Sequence, residues 1–144
     1  MNNMEIPVGT SDFADIRQNG YYYIDKTVLI SELLKTASNK VTLITRPRRF
    51  GKSLGMSMLE NFFDIRKDSK ALFEGLKICQ NQALCDEWMN QYPTISISFS
   101  RVFGLNYTKA YDLLTMVIAE LFNKHLYLIQ DGKGTDFEKS TFKH

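Results

Sequence analysis

The chain lacks the features of a secreted, disulfide-bonded or membrane-spanning protein. No apolar run approaches the roughly 20 residues that a membrane-spanning helix needs. The N-terminus, Met1-Asn2-Asn3-Met4-Glu5, has no basic segment followed by an apolar one, so a secretory signal is not expected. The two cysteines, Cys79 and Cys85, have no histidine partners nearby, which favours reduced, half-buried thiols over a disulfide or a metal site. These absences predict a cytoplasmic protein without a membrane segment.

Internal repeats, low-complexity tracts and linkers are also lacking, and the composition is that of a globular protein. The sequence is 44% hydrophobic and 12% aromatic, which separates it from disordered chains. A length of 144 residues fits one domain with a substantial core.

Acidic residues are missing from the stretch between Leu33 and Leu59, although the whole chain has a net charge of only +2. Six basic residues lie in that stretch: Lys35, Lys40, Arg46, Arg48, Arg49 and Lys52. The positive charge is therefore concentrated in one segment, as expected where a polyphosphate binds.

That segment has the layout of a phosphate-binding P-loop, or Walker A motif. The apolar run Val41–Ile44 predicts a strand, the tripeptide Gly51-Lys52-Ser53 follows a basic loop, and Leu54–Phe63 continues with helical spacing. Strand, loop and helix come in the order that the motif requires. The pattern predicts nucleotide phosphate binding, and the alternative is an incidental basic turn.

Each residue of the tripeptide suits a separate task. Gly51 lets the backbone approach a phosphate, Lys52 reaches the outer phosphates, and Ser53 offers a hydroxyl to a bridging Mg²⁺. The motif departs from G-x-x-x-x-G-K-[ST] at its first position, which is Arg46 followed by Pro47. Arg48 and Arg49 either contact phosphate or nucleic acid, form a solvated face of the loop, or dock onto a missing domain.

A carboxylate that would hold magnesium for hydrolysis is not evident. The predicted strand Thr94–Phe99 ends in Ser100-Arg101, and both Asp64 and Asp131 follow segments with the pattern of helix ends. No catalytic residue is therefore predicted.

Four segments together resemble the AAA-ATPase-like proteins that are common in anaerobic and gut bacteria. The segments are Ile6–Phe13, Tyr21–Thr27, Thr45–Ser53 and Tyr92-Pro93. The resemblance implies that Arg46 is the usual residue at its position and that Asp25-Lys26-Thr27 is a family hallmark. That hallmark either shapes the nucleotide pocket or is a helix cap with a surface ion pair.

The resemblance also implies a longer protein, with a C-terminal nuclease-like domain of the restriction-endonuclease type. Residues 1–144 would then be the N-terminal part of an AAA-like P-loop domain. The expected fold is α/β and P-loop NTPase-like: a mainly parallel sheet with helices on both faces, in an incomplete domain. Predicted helices include Val28 to about Ala37, Leu84–Met89 and Tyr107–Tyr127, the last with His125 at the edge of its apolar face.

The resulting functional prediction is binding of ATP with Mg²⁺ without efficient turnover. The predicted nucleotide-binding residues are Arg46, Arg48, Arg49, Phe50, Gly51, Lys52, Ser53 and Leu54, with Ser53 on the metal. The alternative is a nucleic-acid-binding or scaffold module that uses the basic loop, with Tyr21, Tyr22 and Tyr23 as candidate stacking residues. Nucleic acid is expected as a partner only of the full-length protein, and self-association is expected from uncovered apolar surface.

Overall fold

The computed structural model of the chain is built from helices. It describes residues 5–7, 9–35, 41–45, 47, 50–104 and 106–130. The chain divides into two compact units, Met1–Thr94 and Ile95–His144. The α-helices are α1 (Phe13–Gln18), α2 (Val28–Lys35), α3 (Lys52–Phe63), α4 (Lys70–Phe73), α5 (Gln82–Trp88), α6 (Tyr107–Lys124) and α7 (Tyr127–Gln130), and a 3₁₀ helix spans Lys77–Gln80.

The predicted mainly parallel sheet is wrong for the described part of the chain, which contains no sheet. The β-type pairing there is one isolated parallel bridge between Asp64 and Tyr92. The segments 21–24, 41–44 and 94–99 carry the strand-like patterns but are not joined into a ladder. Alternating side chains favour an extended backbone, whereas a sheet also needs a neighbouring strand in register, and residue patterns within one segment do not supply that neighbour.

The core of the first unit is a cluster of aromatic and aliphatic side chains around α3. Phe13 from α1, Phe62 from α3 and Phe73 from α4 are fully buried. The Phe13 and Phe73 rings have centroids 4.8 Å apart, and the Phe62 and Phe73 rings meet edge to face at 5.3 Å. Ile30 and Met58 complete the buried centre. The apolar residues with helical spacing in α3 thus supply its buried face.

Polar contacts fix the helices that surround this cluster. The backbone N–H of Phe13 donates to Ser57 Oγ at 3.0 Å, which ties the start of α1 to the middle of α3. Arg17 Nε donates to the carbonyl oxygen of Leu72 at 2.7 Å, which ties the end of α1 to α4. Asp12 caps α1 by accepting from the N–H of Ala14 at 2.9 Å.

The C-terminal end of α3 is held by Asn90. Its side-chain amide donates to the carbonyl oxygens of Asn61 at 3.0 Å and Asp64 at 2.9 Å. Its side-chain oxygen accepts from the N–H of Ser69 at 2.9 Å. Helix C-termini leave carbonyl groups without partners in the helix, and Asn90 satisfies two carbonyls in this region. Asn90 has a φ of 56°, a left-handed conformation that asparagine adopts more readily than most residues.

The second unit contains α6 and α7. Asn106 caps α6 by accepting from the N–H of Lys109 at 3.0 Å, and Arg101 forms an ion pair with Glu120. α6 ends at Lys124, before the predicted Tyr127, because His125 turns the chain. His125 is buried, and its Nδ1 lies 2.8 Å from the carbonyl oxygen of Leu121, as expected for a core-edge histidine with a backbone partner.

None of the helices in the described ranges combines the length and apolar character needed to span a membrane. Cys79 and Cys85 are both free thiols, as predicted, and Cys85 is buried. Burial raises the pKa of Cys85 to about 11, with a further contribution from Cys79.

We predict that replacing Asn90 destabilises the first unit. Asn90→Ala removes the three side-chain hydrogen bonds, each of net value about 1 kcal/mol, and leaves a residue with a Cβ in the left-handed region, at a cost of about 1–2 kcal/mol. Asn90→Gly removes the same hydrogen bonds without that strain, so it should be the more stable of the two variants. Urea unfolding measures both, and an alanine variant as stable as the wild type would contradict the role of Asn90.

Candidate functional site

The N-terminus of α3 lacks the usual capping features of a helix. Gly51 precedes the helix with a φ of 74°, a left-handed conformation that favours glycine. The first helical hydrogen bond runs from the N–H of Gly55 to the carbonyl oxygen of Gly51 at 2.8 Å. Gly51 provides no side-chain cap, and the first turn contains no acidic residue. Among the described residues, the N–H groups of the first turn therefore have neither a helical partner nor a side-chain cap.

The residue at the start of this helix adds positive charge where the helix dipole is already positive. Lys52 is the first residue of α3. A cation at a helix N-terminus is unfavourable, whereas an anion there is stabilised by the dipole and by the free N–H groups. This local arrangement becomes favourable when an anion binds.

A pocket of about 510 Å³ adjoins this helix end. In the part of the chain that the structure describes, two lysines and one glutamate contribute charged side chains to it: Lys26, Lys52 and Glu32. The other described residues that line it are Leu29, Ile44, Phe50, Gly51, Gly55, Met56, Met58 and Leu59. One part of the pocket is therefore cationic, and much of the remaining wall is apolar, a combination typical of sites for amphipathic small molecules.

The segment Asp25-Lys26-Thr27 is fixed by hydrogen bonds to the 3₁₀ helix. One carboxylate oxygen of Asp25 accepts from the N–H of Thr27 at 2.9 Å and from its hydroxyl at 2.7 Å. The other accepts from the N–H of Lys77 at 2.8 Å. The Thr27 hydroxyl, which is fully buried, accepts in turn from the N–H of Ile78 at 3.2 Å.

These contacts keep Asp25 ionised. Burial by itself raises the pKa of the Asp25 carboxyl, but the hydrogen bonds from Thr27 and Lys77, together with the charge of Lys77, outweigh it and hold that pKa below its usual value. Asp25 and Thr27 are thus structural, and neither lines the pocket.

Lys26, between them, points to the pocket. Its Nζ lies 3.5 Å from the position that a Cβ on Gly51 would occupy. The ammonium group is therefore in van der Waals range of the turn that begins α3. For Lys26, the geometry supports the interpretation that the hallmark segment shapes the pocket. Asp25 and Thr27 instead form hydrogen bonds to the 3₁₀ helix.

The predicted binding residues differ in where they lie. Phe50, Gly51 and Lys52 line the pocket together, and Phe50 is 60% exposed. Ser53 is exposed in the first turn of α3, and the side chain of Leu54 packs against the core, so Leu54 could serve a ligand only through its backbone N–H. Arg46, Arg48 and Arg49 lie outside the described residues. Binding by any of these residues stays a prediction.

Two charged residues of the pocket were absent from the predicted set. In the sequence, Lys26 is recognisable only as part of the hallmark segment, which has two possible roles. Glu32 lies on α2 three residues after Leu29, so both are on one helix face, and this spacing is the sequence signal that relates Glu32 to the pocket.

The acidic residues considered for magnesium lie elsewhere. Asp64 directly follows the last residue of α3. Because this helix has 12 residues and begins at Lys52, Asp64 lies roughly 18 Å from Lys52. Its buried carboxylate pairs with Arg66, whose Nε donates to it at 2.9 Å. Burial raises the pKa of Asp64, but the Arg66 hydrogen bonds and charge hold it below the usual value. Asp64 therefore stabilises the end of a helix, as its sequence context indicated, while Asp131 is outside the described residues.

A metal site made of protein side chains alone is not present in the described ranges, where no three His, Cys, Asp or Glu side chains converge. Ser100 and Arg101 belong to the second unit, where Arg101 pairs with Glu120.

Comparison with known proteins shows the family. Residues 7–142 match the family described as predicted AAA-ATPase. The chain belongs to this family. The match covers the hallmark segment and the pocket together, so the predicted resemblance is confirmed for this part of the protein, while a nuclease-like domain is not shown.

A curated relative also matches part of the chain. The chain is 34% identical over 100 residues to a protein of Azotobacter chroococcum mcd 1 described as an uncharacterized protein in the vnfD 5′ region. The match covers 69% of this chain and 18% of that relative, so the chain spans about a fifth of its length. No solved structure matches the chain significantly.

Proposed function

We propose that this part of the protein binds ATP with Mg²⁺ at the N-terminus of α3. The observation that carries the proposal is the uncapped helix end with Lys52 as its first residue, which opens on a pocket with cationic and apolar walls. Membership in a family described as predicted AAA-ATPase supports the same ligand.

The side chains around the pocket fit a nucleotide in size and in charge. A volume of about 510 Å³ lies within the range of small-molecule sites. Phosphates would lie against Lys52 and the first-turn N–H groups, while Phe50, Met56 and Leu59 offer apolar surface to the base and sugar. Magnesium would screen the phosphate charge, with the Ser53 hydroxyl as the predicted protein ligand.

ATP hydrolysis is proposed only for the longer protein. Turnover requires a carboxylate that holds magnesium and a group that orients the attacking water. Among the described residues that line the pocket, Glu32 is the one carboxylate, and no histidine, glutamine or asparagine accompanies it.

Nucleic-acid binding remains the second candidate, but the tyrosines do not favour it. Tyr22 is exposed, whereas Tyr23 packs edge to face on Phe13 with ring centroids 5.3 Å apart. Side chains that alternate between solvent and core do not form one stacking platform for successive bases. If the basic loop bound oligonucleotides independently of the pocket, saturating ATP would not displace them.

We predict that the chain binds Mg·ATP more tightly than Mg·AMP and that Lys52→Ala lowers the ATP affinity by at least about tenfold, because a charge-assisted contact to phosphate is lost. Isothermal titration calorimetry measures the affinities, with circular dichroism to confirm folding. Lys70→Ala removes a lysine from α4, away from the pocket, and should bind normally. Equal affinity of the wild type and Lys52→Ala would refute the proposal.

We predict no significant ATPase turnover from residues 1–144 alone. A missing acid or water-orienting group commonly lowers phosphoryl-transfer rates by about three orders of magnitude or more. Phosphate release by the purified protein is the measurement, with Lys52→Ala as the control for contaminating ATPases. Turnover of about one per second that disappears in both Lys52→Ala and Glu32→Gln would contradict the prediction and identify Glu32 as a catalytic residue.

We also predict self-association of the isolated chain, since large apolar side chains are exposed in the described ranges. Val41 and Leu43 are each 84% exposed, beside the pocket residue Ile44. Such surface favours association in water. Sedimentation velocity over a concentration series should show association that Leu43→Lys weakens. Thr42→Lys adds the same charge at an exposed neighbour and is the matched control, and a monomer at every concentration would show that the prediction is wrong.

A further inference from the structure

We infer that Lys26 is a second phosphate-binding residue of this pocket and that Asp25 and Thr27 hold it in position. The inference rests on the proposed nucleotide site and deepens it, because it assigns a charged ligand from outside the Gly51-Lys52-Ser53 motif. The ligand class is a polyphosphate anion, and the contact would be made to phosphate oxygens rather than to the base.

The ammonium group of Lys26 lies beside the turn that begins α3. Lys26 Nζ lies 3.5 Å from the Cβ position of Gly51, and Lys26 and Lys52 line the same pocket. Any anion that contacts the N–H groups after Gly51 therefore comes close to both lysines. Two cations that line one pocket at an uncapped helix end repel each other, and a polyphosphate between them would offset that repulsion.

Hydrogen bonds anchor Asp25 and Thr27, the two residues that flank Lys26. The Asp25 carboxylate is committed to the N–H groups of Thr27 and Lys77 and to the Thr27 hydroxyl. The ion pairs of the described part of the chain involve neither Lys26 nor Lys52. Asp25 thus fixes the backbone on one side of Lys26 while its own charge is used elsewhere, which leaves the lysine charge for a ligand.

Thr27 fixes the backbone on the C-terminal side of Lys26. Its buried hydroxyl joins Asp25 to the N–H of Ile78, so the start of α2 and the 3₁₀ helix are linked through one side chain. A ligand-binding lysine held between two anchored residues loses less conformational freedom on binding than one on a free loop. Thr27 is in this sense a positioning residue.

The first experiment compares Lys26→Met, Lys26→Arg, Lys52→Ala and Lys70→Met by calorimetry with Mg·ATP and with inorganic tripolyphosphate. We expect Lys26→Met to weaken both ligands by about tenfold or more, because a charge-assisted contact to phosphate is lost. Lys26→Arg should retain most of the affinity, and Lys70→Met should bind as the wild type does. The affinity of Lys26→Met should also depend less steeply on salt concentration.

The outcomes distinguish a failure of the Lys26 assignment from a failure of the proposed nucleotide site. If Lys52→Ala loses affinity while Lys26→Met stays within about twofold of the wild type, the assignment of Lys26 is overturned and the nucleotide site stands. If Lys26→Met weakens ATP but not tripolyphosphate, Lys26 contacts the nucleoside and the phosphate assignment is overturned. If the folded wild type binds neither ligand, both the site and the inference fail.

The second experiment tests positioning with Thr27→Val, which removes the hydroxyl without changing charge. Combined with Lys26→Met, it forms a double-mutant cycle for Mg·ATP affinity. We expect Thr27→Val to weaken binding by about threefold or more when Lys26 is present and to have no further effect in Lys26→Met. An equal loss in both backgrounds would indicate a general structural effect and would overturn the positioning role.

Discussion

Burial of one face of α3 against the aromatic cluster of α1 and α4 is the interaction on which the first unit depends. Met58 and Phe62 are fully buried there, beside Phe13 and Phe73. Large apolar side chains of this kind each contribute about 1.5–3 kcal/mol when they leave water. Because the middle of the helix is fixed in this way and Asn90 holds its C-terminal end, the N-terminal end can present uncapped N–H groups and a lysine to solvent without the helix fraying.

The two ends of α3 also differ in the charged residues around them. At the C-terminal end, the buried carboxylate of Asp64 pairs with Arg66, whose side chain is partly exposed. At the N-terminal end, Lys26 and Lys52 bring two positive charges to a pocket that has one described carboxylate, Glu32. A locally unfavourable arrangement that the rest of the structure supports is typical of functional sites. The Asp25 and Thr27 hydrogen bonds form a partly buried polar network on either side of Lys26, whose own side chain is exposed.

Several elements were predictable from local patterns, and others were not. The helical spacing between Leu54 and Phe63 predicted a helix, and α3 spans these residues with Phe62 at the centre of the core. The α6 helix begins at Tyr107 as expected. The parallel sheet was wrong in the described part of the chain, because strand patterns in segments such as 94–99 specify alternation of side chains but not a partner strand. The predicted end of α6 was wrong by three residues, as helix ends depend on local φ and ψ angles that sequence patterns determine poorly.

The sequence by itself determined the family and the position of the candidate phosphate-binding turn. Gly51, Lys52 and Ser53 are adjacent in the chain, so the helix start that follows a glycine places them together whatever the remaining fold. Only the tertiary structure brought Lys26 and Glu32 to the same pocket, because Lys26 is 25 residues before Gly51 and its position depends on hydrogen bonds to the 3₁₀ helix about 50 residues further along the chain. Contacts across such separations are set by packing and buried hydrogen bonds, and local sequence patterns do not encode them.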